Sequence, residues 1–171
     1  MTSAEVLVDA FGRVRGAVHA AIEGLSGDEL AQRLDSDANS IAWLVWHLSR
    51  VQDDHVSEVA GADQIWTSGG WAERFALPLA PSDTGYGHTS EQVALVRVGD
   101  VALLAGYYDA VHDETARYAA GLTDTDLDRV VDRRWDPPVT LGVRLVSVIA
   151  DDLQHAGQAA LVRGILLRRR P

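Results

Sequence analysis

The chain has no cysteine and no lysine. Without cysteine there is no disulfide framework, no thiolate metal site and no protein-borne sulfur nucleophile, so any sulfur chemistry needs a thiol carried by a small molecule. All 15 basic residues are arginine, which excludes Schiff-base catalysis and the phosphate-binding lysine of a P-loop. Positive charge is itself scarce. Against 25 carboxylates the formal net charge is −10, and no basic stripe exists to neutralise phosphates, which argues against a nucleic-acid footprint. The basic run Arg168-Arg169-Arg170 suits the negative C-terminal end of a last helix. No apolar run approaches 18 residues, so no membrane span is expected. The opening Met1-Thr2-Ser3-Ala4-Glu5 has no basic n-region and no apolar h-region. No signal peptide is therefore expected, and a cytoplasmic protein is the default.

What the chain does have is helical periodicity. Its 171 residues, 47% hydrophobic, fit one domain with one core. In residues 4–24, Val6, Phe11, Val14, Val18, Ala21 and Ile22 recur at helical spacing. Ser26 followed by Glu29 resembles a capping box, predicting one or two further turns over 27–34. Ser40 caps a second long helix over 41–60, where Leu44, Leu48, Val51 and His55 form one stripe at about 100° per residue. His47 and Asp54 share one edge of it. Residues 62–98 hold Trp66, Trp71, Pro78, Pro81, Gly85, Gly87 and His88 with no sustained period. A connection this long is a functional segment or a crossover. A third helix is expected over 100–120 and a short one from Thr123 to about Val131. Arg134-Trp135-Asp136-Pro137-Pro138 reads as rigid and extended. Thr140 caps the last helix, 141–167, with Leu145, Ile149, Leu153, Ala156 and Ala160 on one face. Arg144, Asp151, His155, Gln158 and Val162 lie on another. No segment reads as a strand. The economical fold is all-α, a four-helix bundle with a long crossover between its second and third helices.

The chemistry concentrates in Asp151-Asp152-Leu153-Gln154-His155-Ala156-Gly157-Gln158. Asp151 and His155 are four apart, one turn apart on one helix face, where they can share a metal ion. A third ligand has to come from another helix, and His47 is the best candidate. Two imidazoles and a carboxylate suit zinc or nickel and leave a position open. The competing reading is a buried carboxylate–histidine cluster that satisfies itself without metal. Asp152 is a rival ligand, or a carboxylate supporting the site from behind. Gln158, Asp54 and His55 are candidates for the same supporting role. Arg144 lies seven residues before Asp151, which places it about 10 Å along the helix, where it can hold a substrate carboxylate or form a salt bridge. Trp66 and Trp71, with Trp135, are candidate walls of a substrate pocket.

Ser40-Ile41-Ala42-Trp43-Leu44-Val45-Trp46-His47-Leu48, followed a hundred residues later by Asp-x-x-x-His-Ala-Gly-Gln, resembles the DinB-like four-helix bundles. It resembles most their actinobacterial branch, which includes mycothiol-dependent maleylpyruvate isomerases. The two motifs together span most of the chain. The resemblance implies a divalent metal, zinc or nickel, held by His47, Asp151 and His155, and a low-molecular-weight thiol, mycothiol, as cosubstrate. The family's first ligand on the last helix is usually Glu or His, and here it is the shorter Asp151. The expected function is a metal-dependent thiol transferase or isomerase. The alternatives are a metal-assisted hydrolase using Asp54 or His55 as base, and a non-catalytic metal- or ligand-binding stress protein. A small-molecule substrate is expected, with neither nucleic acid nor membrane as partner. Ala-rich helix faces permit a homodimer.

Overall fold

A computed structural model describes residues 1–170. The chain is mainly helical, and four long helices carry it. Helix α1 (Ser3–Ile22) opens on a capping box, the Thr2 hydroxyl accepting from the Glu5 N–H while the Glu5 carboxylate accepts from the Thr2 N–H. Its buried face starts at Leu7, and Val6 is exposed. A second capping box, Ser26 with Glu29, starts the short α2 (Gly27–Ala31). Helix α3 (Ile41–Ala60) is capped by Ser40 and stopped by Gly61 at φ +66°, a left-handed conformation that glycine adopts without a Cβ penalty.

The connection from α3 onward is long but not loose. It contains α4 (Ile65–Ser68), α5 (Trp71–Phe75) and α6 (Ser90–Leu95). The Asp53 carboxylate, on α3, accepts from the backbone N–H groups of Ile65 and Trp66 at 2.8 and 2.7 Å and so caps α4 from within the core. Fully buried Arg50 donates to the Asp83 carbonyl at 3.1 Å and to Gln64 Oε1 at 2.8 Å. The Tyr107 hydroxyl donates to Asp53 at 2.9 Å. A residue-by-residue hydropathy pattern shows none of this, because the ties are polar and long-range.

Helix α7 (Val101–Ala120) is capped by Asp100. After α8 (Asp124–Leu127) comes a small hairpin, which corrects the expectation of no strands. Its strands are β1 (Val130–Asp132) and β2 (Val139–Thr140), antiparallel, with Val130 opposite Thr140 and Asp132 opposite Val139. Arg134–Pro138 is thus the loop of a hairpin and not a plain extended linker. Strands of three and two residues are too short to display an alternating pattern.

Thr140 caps the last helix, α9 (Leu141–Arg168). It buries Leu141, Leu145, Val148, Asp152, Ala156, Ala159 and Val162, while Leu153 is exposed and so is Ala160. The buried face is therefore rotated from the expected one, and a carboxylate occupies the position that hydropathy assigned to Leu153. Helices α1 and α3 each pack against both α7 and α9. This side-by-side packing of α3 and α9, distant in sequence, is what assembles the site. The larger core cluster centres on Trp43, Leu44, Trp46, Leu48, Tyr107 and Tyr108, and a smaller one joins Phe11, Val56, Leu141 and Leu145. Among the described residues, no helix is long and apolar enough to cross a membrane.

Candidate metal centre

His47 on α3 meets Asp151 and His155 on α9, with one ligand atom from each lying within 4.8 Å of the others. The first turns of α3 are buried on every side, from Ser40 to Arg50, so His47 is held in a packed stretch of the helix. The Trp43 ring stacks on His47 at 4.5 Å and 16°, and meets His155 edge-on at 6.1 Å. The two imidazoles stand nearly perpendicular, 4.9 Å apart at 76°.

The hydrogen bonds decide which nitrogen of each ring is free. His47 Nδ1 lies 2.6 Å from the Thr84 carbonyl, which can only accept, so Nδ1 carries the proton and Nε2 keeps its lone pair. His155 Nδ1 lies 3.2 Å from Gln158 Oε1, an arrangement that leaves Nε2 free in the neutral ring when that oxygen accepts. His155 Nε2 is 3.6 Å from Asp151 Oδ1, an electrostatic contact longer than a good hydrogen bond. Asp151 Oδ2 is buried with no hydrogen-bond partner among the described residues. A buried carboxylate oxygen without a partner is costly, and a cation would satisfy it.

The electrostatics fit a donor set. Burial pushes the His47 imidazole below its ordinary pKa, and the Thr84 carbonyl opposes this without reversing it. The neighbouring Asp151 carboxylate raises His155, with burial acting the other way. Burial opposes ionisation of Asp151, but His155, with smaller help from His47 and His55, holds it below the usual carboxylate range. The result is a neutral imidazole, an ionised carboxylate and a second imidazole, all converging. These residues fit a divalent cation.

His47 and Asp151 form part of the wall of a cleft of about 570 Å³, which also includes Val51, Tyr86, Trp135, Val139 and Val148. The expected residues fall into three groups. Asp54, His55 and Arg144 line this cleft. His55 is half-buried there and not at the centre of an apolar face. Arg144 Nη1 lies 3.1 Å from His55 Nδ1, and burial followed by the Arg144 charge lowers the pKa of His55. Arg144 also donates to Glu58 at 2.7 Å and reaches Asp132 at 3.4 Å. Gln158 contacts His155 as described.

Asp152, Trp66 and Trp71 lie elsewhere. The Asp152 side chain is fully buried in the core, close enough to Tyr108 to disfavour its ionisation, and both of its oxygens lack partners among the described residues. It does not support the cluster, because adjacent helix positions point about 100° apart. Trp66 packs on Phe75 and Tyr107, and Trp71 on Tyr107 and under Arg74, so both belong to the core beneath the crossover. The cleft aromatics are instead Tyr86 and Trp135, both exposed.

Sequence reasoning missed the support behind His47. A Cβ on Gly85 would sit 2.8 Å from His47 Nδ1 and 3.1 Å from the Trp46 ring, and Gly85 has φ +89°. The loop therefore reaches His47 only because residue 85 is glycine. His88 Nδ1 accepts from Trp43 Nε1 at 3.1 Å, and its Nε2 donates to Asp83 at 2.9 Å. The presence of glycine in the crossover was a visible signal, but the Thr84 carbonyl, a backbone group, left none.

Fold and site together define a helical protein with a two-histidine, one-carboxylate cluster in a cleft between long helices. The chain belongs to the mycothiol-S-transferase family, whose model matches residues 6–167. This is the DinB-like, mycothiol-related grouping that the two motifs indicated, and the match spans both of them. The fold is also similar to the crystal structure of a conserved protein from Enterococcus faecalis, at 31% identity over 99% of each chain and a TM-score of 0.92. No curated protein matches the chain.

Proposed function

We propose that the protein is a divalent-metal-dependent S-transferase in a DinB-type four-helix bundle, with His47, Asp151 and His155 as ligands and mycothiol as its thiol. The observation that carries this reading is the convergence of those three ligand atoms within 4.8 Å, with His47 and Asp151 in a cleft wall, in a chain of a thiol-transferase family. A bound zinc or nickel ion would supply Lewis acidity that favours the ionised form of a thiol near neutral pH.

The chain's own residues do the rest. The Thr84 carbonyl fixes the His47 tautomer, and Trp43 fixes the plane of its ring, so the ligand is preorganised. Gln158 does the same for His155. Arg144 fills the lone pair on His55 Nδ1, so neutral His55 presents Nε2–H to the cleft as a donor and is unsuited to act as a base. Asp54, on the same cleft wall, accepts from Gln64 through Oδ1, and the thiol proton leaves to water in the open cleft. The sulfur lone pair then forms the new C–S bond, and the leaving group departs with its bonding pair. No cysteine exists in the chain to compete for the electrophile.

The test is metal analysis of protein purified without a histidine tag, followed by thiol titration of the cobalt-substituted form. Stoichiometric metal that is lost in His47→Ala, and a cobalt spectrum perturbed by mycothiol, are expected. Metal content no different in His47→Ala, or a spectrum indifferent to mycothiol and to other small thiols, refutes the reading.

A further inference from the structure

We infer that a second small-molecule site lies between α3 and α7, apart from the metal centre, and that it takes a small amine, an apolar body carrying one ammonium group.

The site is a cavity of about 220 Å³. Val56 on α3, Val111 on α7 and Ile65 on α4 wall it, with Tyr118 beside them. An apolar cavity of about 150 Å³ already holds benzene, so this one has room for one aromatic ring. It shares no lining residue with the metal cleft. Asp53 and Asp54 are neighbours on α3 but point about 100° apart, so Asp53 lines this cavity and Asp54 the cleft.

Two polar features set the head group. The first is an acceptor that lacks a donor. The Thr115 hydroxyl, in the cavity wall, donates to the Val111 carbonyl at 2.9 Å, so its oxygen accepts from Gln52 Nε2 at 2.8 Å. That fixes the orientation of the Gln52 amide. Its other end, Oε1, is buried with no partner among the described residues. A buried carbonyl in this state is costly and calls for an N–H or O–H donor.

The second is charge. The wall holds three carboxylates, Asp53, Asp63 and Glu114, against one guanidinium, Arg117. Asp53 already accepts from the Ile65 and Trp66 N–H groups, and Arg117 is paired with Glu114. Asp63 is exposed and makes no hydrogen bond or ion pair among the described residues. An entering anion would have to displace Glu114 from Arg117 within a net negative wall. An ammonium meets a free carboxylate and brings N–H donors with it.

The test uses three probes with a common ring, 2-phenylethylamine, 2-phenylethanol and phenylacetate. Each is titrated into the full-length protein and followed by protein-observed ¹⁵N NMR. The amine should shift the amides of Ile65, Val111 and Thr115 saturably. It should bind about three- to tenfold more tightly than the alcohol, with phenylacetate weakest. Asp63→Asn should weaken the amine about two- to fivefold and leave the alcohol unchanged. Ala60 is exposed and lines the cavity, so Ala60→Trp should fill it and abolish the shifts. Asp63 is also exposed, so its variant reads the site whether or not the tryptophan variant folds. Phenylacetate binding as tightly as the amine overturns the inference. So does amine affinity unchanged in Asp63→Asn, or no saturable shift at those three amides. The readout lies outside the metal cleft, so the outcome is independent of the transferase reading.

Discussion

Replacing Gly85 with alanine tests how the crossover holds the site, with Gly87→Ala as an internal control. Both glycines have positive φ, +89° and +72°. An alanine at either position bears backbone strain of roughly 1–2 kcal/mol. Around Gly87 a Cβ meets nothing within 4 Å, so the strain is the whole cost. At Gly85 the Cβ falls 2.8 Å from His47 Nδ1 and 3.3 Å from the Trp43 ring. Those rings are anchored on a buried helix, so the loop has to retreat. Retreat breaks the bond between the Thr84 carbonyl and His47 and leaves a buried N–H unpaired, which adds about 1–3 kcal/mol. Gly85→Ala should therefore destabilise the protein by about 2–5 kcal/mol in urea denaturation, against about 1–2 kcal/mol for the control. It should also weaken metal binding by about 10–100-fold, the usual range for losing a partner behind a ligand, whereas Gly87→Ala should leave metal affinity alone. The ¹⁵N chemical shifts of the His47 ring report its tautomer without metal, and should change in Gly85→Ala alone. Equal stability losses in the two variants, or metal affinity and His47 shifts in Gly85→Ala matching the wild type, would falsify the positioning argument.

Three further outcomes are expected. Arg50→Met strips the buried Asp53 carboxylate of its neighbouring guanidinium and unties the crossover, costing about 3–5 kcal/mol in urea denaturation; a loss below about 1 kcal/mol would mean that the network contributes little. Asp152→Ala removes a fully buried carboxyl that burial holds well above the usual carboxylate pKa and that has no partner among the described residues. It should raise stability by about 1–2 kcal/mol at neutral pH, and a destabilised variant would show that the group is satisfied by buried water. The hydrogen bonds of Arg134, side chain first and then backbone, hold Asp132 well below the usual carboxylate range, with burial opposing them. Its folded pKa is depressed, so its contribution is present above the unfolded value of about 4 and lost as the pH falls through the folded one. Asp132→Asn should accordingly be less stable than the wild type at pH 7 and lose less stability on acidification to pH 3; parallel profiles for the two proteins would contradict this.

The long helices were legible because each carries its own start and stop. Ser40 and Gly61, Asp100, and Thr140 mark ends that the structure keeps. The i, i+4 spacing of Asp151 and His155 was likewise a local property, since one helix turn sets it. His47 was the candidate third ligand from its place in the other strongly periodic segment, and the resemblance to the DinB-like motifs added support. The role of the helix faces was harder to read. Leu153 and Asp152 exchanged their expected environments, because burial depends on which neighbours a helix meets, and hydropathy is only a proxy for that.

By itself, the sequence determined a cysteine-free helical chain with a carboxylate–histidine pair on its last helix and a histidine near the start of another. The tertiary structure decided the rest. It brought α3 against α9 so that three ligand atoms converge, and folded the crossover back until the Thr84 carbonyl oriented His47. It also formed the hairpin whose Asp132 contacts both cleft arginines. Each of these depends on contacts across dozens of residues, made through backbone carbonyls and paired charges. The same residues would look identical in sequence had those contacts never formed, because a charge records its sign along the chain but finds its partner only in space.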